Sequence, residues 1–437
     1  MQNHRAPSLS LTLSRAFYFC VLELARPFIR TRLWWRSRRE PGYADRVTER
    51  YGDVSSMAHL APLWIHAVSA GETIAAVPLI EAMLSRHPDV PILVTSTTAT
   101  GSSEIKRRLG SRVLHAFAPY DFEAAVKLYF RRVKPRALVL IETELWPNLL
   151  RTARQAGIPV VLVNGRLSER SAKGYGRIAA LSRDMLQSFS LIGCQSETHR
   201  ERFIALGAPK ERVQSLGSVK YDVKLDEAVR REAIQLREQY QWQNHPVFIA
   251  ASTHPGEEEQ VLDAWSLVRS QQPDARLMIV PRHPPRADEV CALIAARGLE
   301  SARQSRVSGA APEVVVGDVM GSLLKLYGVA DAAFVGGSLV PRGGHNPIEP
   351  ALWGVPFVTG PHTFNFADVM NDFRDASAVV EIGNATELKV QIAVCLAGEG
   401  QGKETGERAR VLVDQKRGAL ERTLAALEPV LFGSARE

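Results

Sequence analysis

The chain alternates short apolar runs with amphipathic stretches, and it does so twice. In the first half the runs fall at 63–68, 92–95, 138–141, 160–163, 191–194 and 213–216. Each has the length of a buried strand, and most are followed by a helical pattern. A charged segment, 224–243, reads as a helical linker, after which the alternation restarts at 247–251, 277–280, 332–335 and 356–359. Strands alternating with helices predict parallel, doubly wound sheets with ligands at the strand C-termini. At 437 residues the chain is long enough for two such domains, each with its own core. The fold class expected is therefore α/β, two Rossmann-like domains facing a cleft. The boundaries expected are an arm at 1–39, an N-terminal domain at 40–222, the linker at 223–244, a C-terminal domain at 245–405, and a terminal helix at 406–437.

Charge separates the arm from the rest. The chain has a formal net charge of +7. Residues 1–39 hold eight Arg, no Lys and one acid, Glu23, so the arm carries the whole excess and the body is balanced. A nucleic-acid-binding face on the body is thereby disfavoured. The arm is apolar but interrupted: its longest central uncharged run, 16–22, is far short of the about 20 residues that span a bilayer. No cleavable signal sequence is evident. Six arginines interleaved with Trp34 and Trp35 suit the anionic lipids of a cytoplasmic leaflet. The arm is expected to be a helix lying in or dipping into the inner membrane, the alternative being a helix packed on the body. Four dispersed cysteines, with no paired spacing, argue against a disulfide framework and a zinc site.

Candidate chemistry sits where strands are expected to end. Glu72 follows Ser69-Ala70-Gly71 just ahead of a helix. There it can serve as a general base, or only satisfy the helix dipole. That helix, over 73–86, is expected to begin late, near Ala75, because Pro78 is tolerated only in a first turn. Glu142 and Glu144 alternate at the end of a strand, facing a ligand or only solvent. Lys220 either faces a ligand or pairs with Asp222 on the surface. In the second half, Arg282, His283 and Arg286 follow a strand, and Arg can grip a phosphate there. His66 and His254 read as structural histidines. Phe334-Val335-Gly336-Gly337 through Gly343-Gly344-His345-Asn346-Pro347-Ile348-Glu349 is a strand, a glycine loop and a helix start. Its backbone N–H groups are expected to approach an anionic ligand. No metal-ligand spacing occurs, so no metal and no cofactor are expected.

Taken together, Ser69-Ala70-Gly71-Glu72, Ile141 through Asn148, Gly217-Ser218-Val219-Lys220, Pro281-Arg282-His283-Pro284, Phe334 through Glu349 and Gly360 through Phe366 resemble the 3-deoxy-D-manno-octulosonic acid (Kdo) transferases. The resemblance runs in order along nearly the whole chain. It implies a GT-B type inverting glycosyltransferase that moves Kdo from CMP-Kdo to the lipid A precursor, lipid IVA, at the cytoplasmic side of the inner membrane. By motif, Glu72 matches the family's general base, and Glu142 and Lys220 its transition-state stabilisers. Donor contacts match Pro281, Arg282, Met320, Gly321, Ser322, Asn346, Pro347, Ile348 and Glu349. Ser322 is a suspected departure from the family, with a contact through its backbone. Rival readings are an epimerase-like nucleotide-sugar enzyme on the same fold, or a non-catalytic, membrane-recruited nucleotide-binding protein.

Overall fold

A computed structural model describes residues 9–307, 311–397 and 400–433. It divides into two compact units, residues 1–222 with 417–437 and residues 223–416. Each unit is built on a seven-stranded sheet.

In the first unit the strands are β1 (Leu63–His66), β2 (Ile92–Ser96), β3 (Leu114–Phe117), β4 (Ala137–Ile141), β5 (Val160–Gly165), β6 (Leu191–Cys194) and β7 (Val213–Ser215). They lie in the order β3-β2-β1-β4-β5-β6-β7, and every pairing is parallel. Parallel strands need crossover connections, here helical, and β1, β2 and β4 are buried along their whole length. Strand β3 escaped the sequence pattern because Leu114 and His115 are only half-buried at the sheet's edge.

The helix Ala70–Arg86 begins five residues earlier than expected, and Pro78 lies inside it. Its start is set by Ser69, whose hydroxyl caps the Glu72 N–H, and burial of Ala76, Val77, Leu79, Ile80 and Met83 along the same helix offsets the penalty of the proline. The tail, expected as one helix, is two: Gln401–Lys416 and Ala419–Phe432, with Gly418 at φ 84° between them. The second of these returns to the first unit. Its Leu424, Leu427 and Leu431 join the core beside β1, β4 and β6, while the Asp222 carboxylate accepts from Gly418 N and Leu420 N, both at 2.6 Å.

The N-terminal arm is one helix, Leu9–Arg39. One face rests on the first unit through the Arg15–Asp184 ion pair (2.7 Å), the Tyr18 hydroxyl donating to Asp121 (3.0 Å), and buried Leu33. The opposite face carries Leu9, Leu13, Phe17, Leu24, Phe28 and Trp35 out into solvent. Among the described residues, no helix is long and apolar enough to cross a membrane.

The second unit has β8 (Val247–Thr253), β9 (Arg276–Pro281), β10 (Ser301–Arg303), β11 (Val314–Val316), β12 (Ala332–Val335), β13 (Phe357–Thr359) and β14 (Val380–Glu381), ordered β10-β11-β9-β8-β12-β13-β14, again all parallel. The charged segment after residue 223 carries the helix Glu227–Gln239. Arg237 fastens it to this unit with a two-pronged grip on Asp331 (2.9 and 3.1 Å).

Candidate active site

In the first unit three carboxylates gather at the C-terminal ends of β1 and β4. Glu72 stands in the first turn of its helix, where it accepts from Val68 N (2.7 Å) and from the Ser69 hydroxyl (3.0 Å). Both carboxylate oxygens thus take part in fixing the start of the helix. Burial raises its pKa to about 7 against the pull of those hydrogen bonds, and the charge of Glu142 adds to the rise. Glu144 is pushed to about 8, first by burial and then by the neighbouring charge of Glu72, although the Trp146 indole donates to it.

Glu142 lies just past the last residue of β4, in a backbone conformation with φ 61° that side chains other than glycine rarely adopt. Its N–H is tied to Val163 O at 2.9 Å. Lys220 Nζ approaches Glu142 Oε1 to 3.9 Å. Asp222 accepts two backbone N–H groups at the start of the last helix. On the adjacent strand end, Asn164 repeats the oddity of Glu142. It has φ 57°, is buried, and its side-chain amide has no partner among the described residues. His66 is a structural histidine: buried, bonded to the Thr95 hydroxyl (2.9 Å), and lowered by burial to about 4.

The second unit is charged in the opposite sense. The loops after β8, β9 and β12 bring together His254, Arg282, His283, His345 and Glu349, and the loop after β11 carries the Met320-Gly321-Ser322 turn. Arg282 is exposed, and its guanidinium has no hydrogen bond or ion pair among the described residues. Arg286, expected beside it on a phosphate, is instead locked between buried Glu258 (2.6 Å) and Glu289 (2.9 Å). Met320 is open to solvent and Gly321 has φ 80°. The Ser322 hydroxyl is consumed internally by Val319 O (2.7 Å) and Gln304 (3.2 Å).

Pro347 flanks the start of the short helix Ile348–Leu352, one residue later than the expected cap at Asn346, whose Oδ1 accepts from Ile348 N (3.1 Å) while its amide donates to Glu349 (3.1 Å). Burial raises the Glu349 pKa. Pro281, Pro347 and Ile348 are buried and frame the loops.

The glycine loop corrects an expectation. The N–H groups of Gly337, Ser338 and Leu339 do not await a ligand. All three donate to the Glu257 carboxylate at 2.7–3.0 Å, and His254 N joins them at 3.0 Å. The glycines serve close packing: a Cβ on Gly336 would stand 2.7 Å from Ser252 O, and one on Gly337, at φ 69°, 2.9 Å from the His345 ring.

Residues 45–223 match the family described as 3-deoxy-D-manno-octulosonic-acid transferase (kdotransferase). The chain is 36% identical over 422 residues to the 3-deoxy-D-manno-octulosonic acid transferase of Haemophilus influenzae, covering 95% of this chain and 99% of that one. The chain belongs to the Kdo transferase family. It is thus a glycosyltransferase, and the epimerase-like and non-catalytic readings fall away. Among solved structures, the C-terminal CMP-Kdo binding domain of WaaA from Acinetobacter baumannii is 34% identical and covers 43% of this chain and 99% of that one, with a TM-score of 0.41. A glycosyltransferase of Rickettsia africae is 14% identical with a TM-score of 0.53, covering 85% of this chain and 100% of that one, and shares the GT-B type fold.

Within this Kdo transferase, the structure brings Glu72 and Glu142 together with Lys220 in one unit and the nine donor-motif residues onto neighbouring loops of the other. The sequence raised Glu144, by its alternation with Glu142, and His345, in the glycine loop, without giving either a role; it read His254 as structural and gave no signal for Asn164. Nothing in the sequence announced that His254 and His345 would meet.

Proposed function

We infer that this enzyme transfers Kdo from CMP-Kdo to a lipid A precursor in lipopolysaccharide synthesis, with Glu72 as general base. The observation that carries the reading is a carboxylate with a pKa of about 7, beside Glu142 and Lys220, in a Kdo transferase. A base is most effective when its pKa lies near the working pH. The acceptor hydroxyl gives its proton to Glu72 as its oxygen attacks the anomeric carbon of Kdo. The bond from that carbon to the phosphate oxygen breaks on the opposite face, and the electron pair leaves with CMP. Lys220 and Glu142 steady the charge that develops, and the unpaired Arg282 receives the phosphate. CMP departs as an already stable anion, so the reaction does not call for a divalent cation. Turnover that survives a chelator supports this, and turnover that needs added metal refutes it.

The acceptor's lipid character fits the N-terminal helix. Leu9, Leu13, Phe17, Leu24, Phe28 and Trp35 form an exposed apolar stripe, flanked by Arg38 stacked on Trp34 (3.9 Å) and Arg39 on Trp35 (4.1 Å). Such a helix lies in the interface of an anionic leaflet, on the cytoplasmic side of the inner membrane. Incubating the enzyme with CMP-Kdo and lipid IVA and weighing the products tests the reading. A mass increase of one or more Kdo residues is expected, and an unchanged acceptor beside intact enzyme would overturn it.

A further inference from the structure

The histidines of the second unit form a cluster that the proposed chemistry leaves without a task. His254 Nε2 and His345 Nε2 are 2.9 Å apart, with ring planes 8° from parallel and centroids 5.2 Å apart. His283 meets His254 edge-on at 6.1 Å. Gly337 has no side chain where one would strike the His345 ring. The pair therefore rests on a deliberate close approach of the loops after β8 and β12.

Its electrical surroundings are almost wholly positive. Arg342, Arg282 and Arg286 bear on His254 together with His283, and Arg282 and His283 bear on His345. The nearby carboxylates are already committed: Glu257 to four backbone N–H groups, Glu258 to Arg286, and Glu349 to Asn346. Arg282 and Arg342 have no side-chain partner among the described residues. The single charge of a phosphodiester does not balance two free guanidinium groups. A ligand with a second anionic group does.

The shared proton also sets what the pair can offer. In the neutral pair one ring donates through Nε2, so its Nδ1 is a bare acceptor, while the accepting ring keeps its proton on Nδ1. Neither Nδ1 has a partner among the described residues, and neither is a buried unpartnered atom. One added proton turns both Nδ1 atoms into donors and gives the pair a positive charge.

We propose that His254 and His345 form a second anion subsite of the donor unit, which holds the carboxylate of the sugar acid while Arg282 holds the phosphate. The proposal rests on the CMP-Kdo reading given above. Burial and the arginines keep both rings neutral in the empty site, with His345 at about 4. An arriving carboxylate favours the protonated pair, so the complex holds more protons than the free enzyme. Donor affinity therefore rises as pH falls, for as long as the carboxylate stays ionised.

The experiment compares two ligands on the full chain. CMP carries phosphate without the sugar acid, and CMP-Kdo carries both. For His345→Asn and, as a second variant, His254→Gln, CMP affinity should stay within about twofold of the parent. The KM for CMP-Kdo should rise about tenfold to a hundredfold with little change in kcat, and the pH dependence of that KM should flatten. Equal losses for both ligands would mean that the pair grips the nucleotide, and no loss for either would make it structural. Both outcomes overturn the proposal. Failure of the donor reading itself looks different: Arg282→Ala would then leave CMP binding unchanged.

Discussion

The two units share a seven-stranded parallel sheet and put opposite chemistry at its C-terminal edge. In the first, Glu72, Glu142 and Glu144 crowd together, and burial with mutual repulsion holds two of them unusually basic. In the second, the buried carboxylate Glu257 is saturated by backbone N–H groups, and what remains free is the cationic pair Arg282 and Arg342 beside two neutral histidines. A sheet of this kind dictates where loops converge but not their charge. One unit gathers carboxylates that burial makes more basic, and the other leaves guanidinium groups unpaired among the described residues.

Glu72→Gln breaks the contrast at its acidic end. Transfer should fall by about a hundredfold to ten-thousandfold, while CMP binding, measured calorimetrically, stays as in the parent. Near-normal turnover would remove Glu72 from the role of base. In the parent, kcat/KM for the acceptor should fall as pH drops through about 7, because the working form of a base is the ionised one and Glu72 is half-protonated there. A profile flat from pH 5 to 8 would contradict this.

Glu257→Ala attacks the opposite end through structure. Four backbone donors would lose their acceptor, at a cost of about 3 kcal/mol, read as a lower denaturation midpoint with the first unit's chemistry intact in the folded fraction. An unchanged midpoint would show that water or another group replaces the carboxylate without loss. Arg282→Ala should be milder, weakening CMP binding about tenfold. Smallest of all, Phe28→Glu on the exposed stripe should weaken binding to anionic vesicles severalfold without altering thermal stability, as followed by co-sedimentation. Deleting the whole arm is the poorer test, because the helix also supplies the Arg15–Asp184 and Tyr18–Asp121 contacts to the body.

Much of the fold was legible because burial on both faces of a parallel strand leaves an uninterrupted apolar run. β4 and β5 are written that way, and the loops after such strands are where ligand chemistry collects. β3 and β10 were not legible, since half-buried edge strands lack that run. Local signals misled in two places. Pro78 argued for a late helix start, yet the Ser69 cap fixed an early one. Gly336-Gly337 looked like a ligand cradle, yet a carboxylate about 80 residues earlier fills it.

By itself, the sequence determined two α/β units, an arginine-rich arm and the positions of Glu72, Glu142, Lys220 and Arg282 at strand ends. Only the tertiary structure decided that the last helix returns to the first unit, that Arg286 belongs to Glu258, and that His254 meets His345. Periodicity encodes what a residue's neighbours in the chain do, whereas a charge or a hydrogen bond is worth what its neighbours in space make of it, and those arrive from strands far apart in the chain.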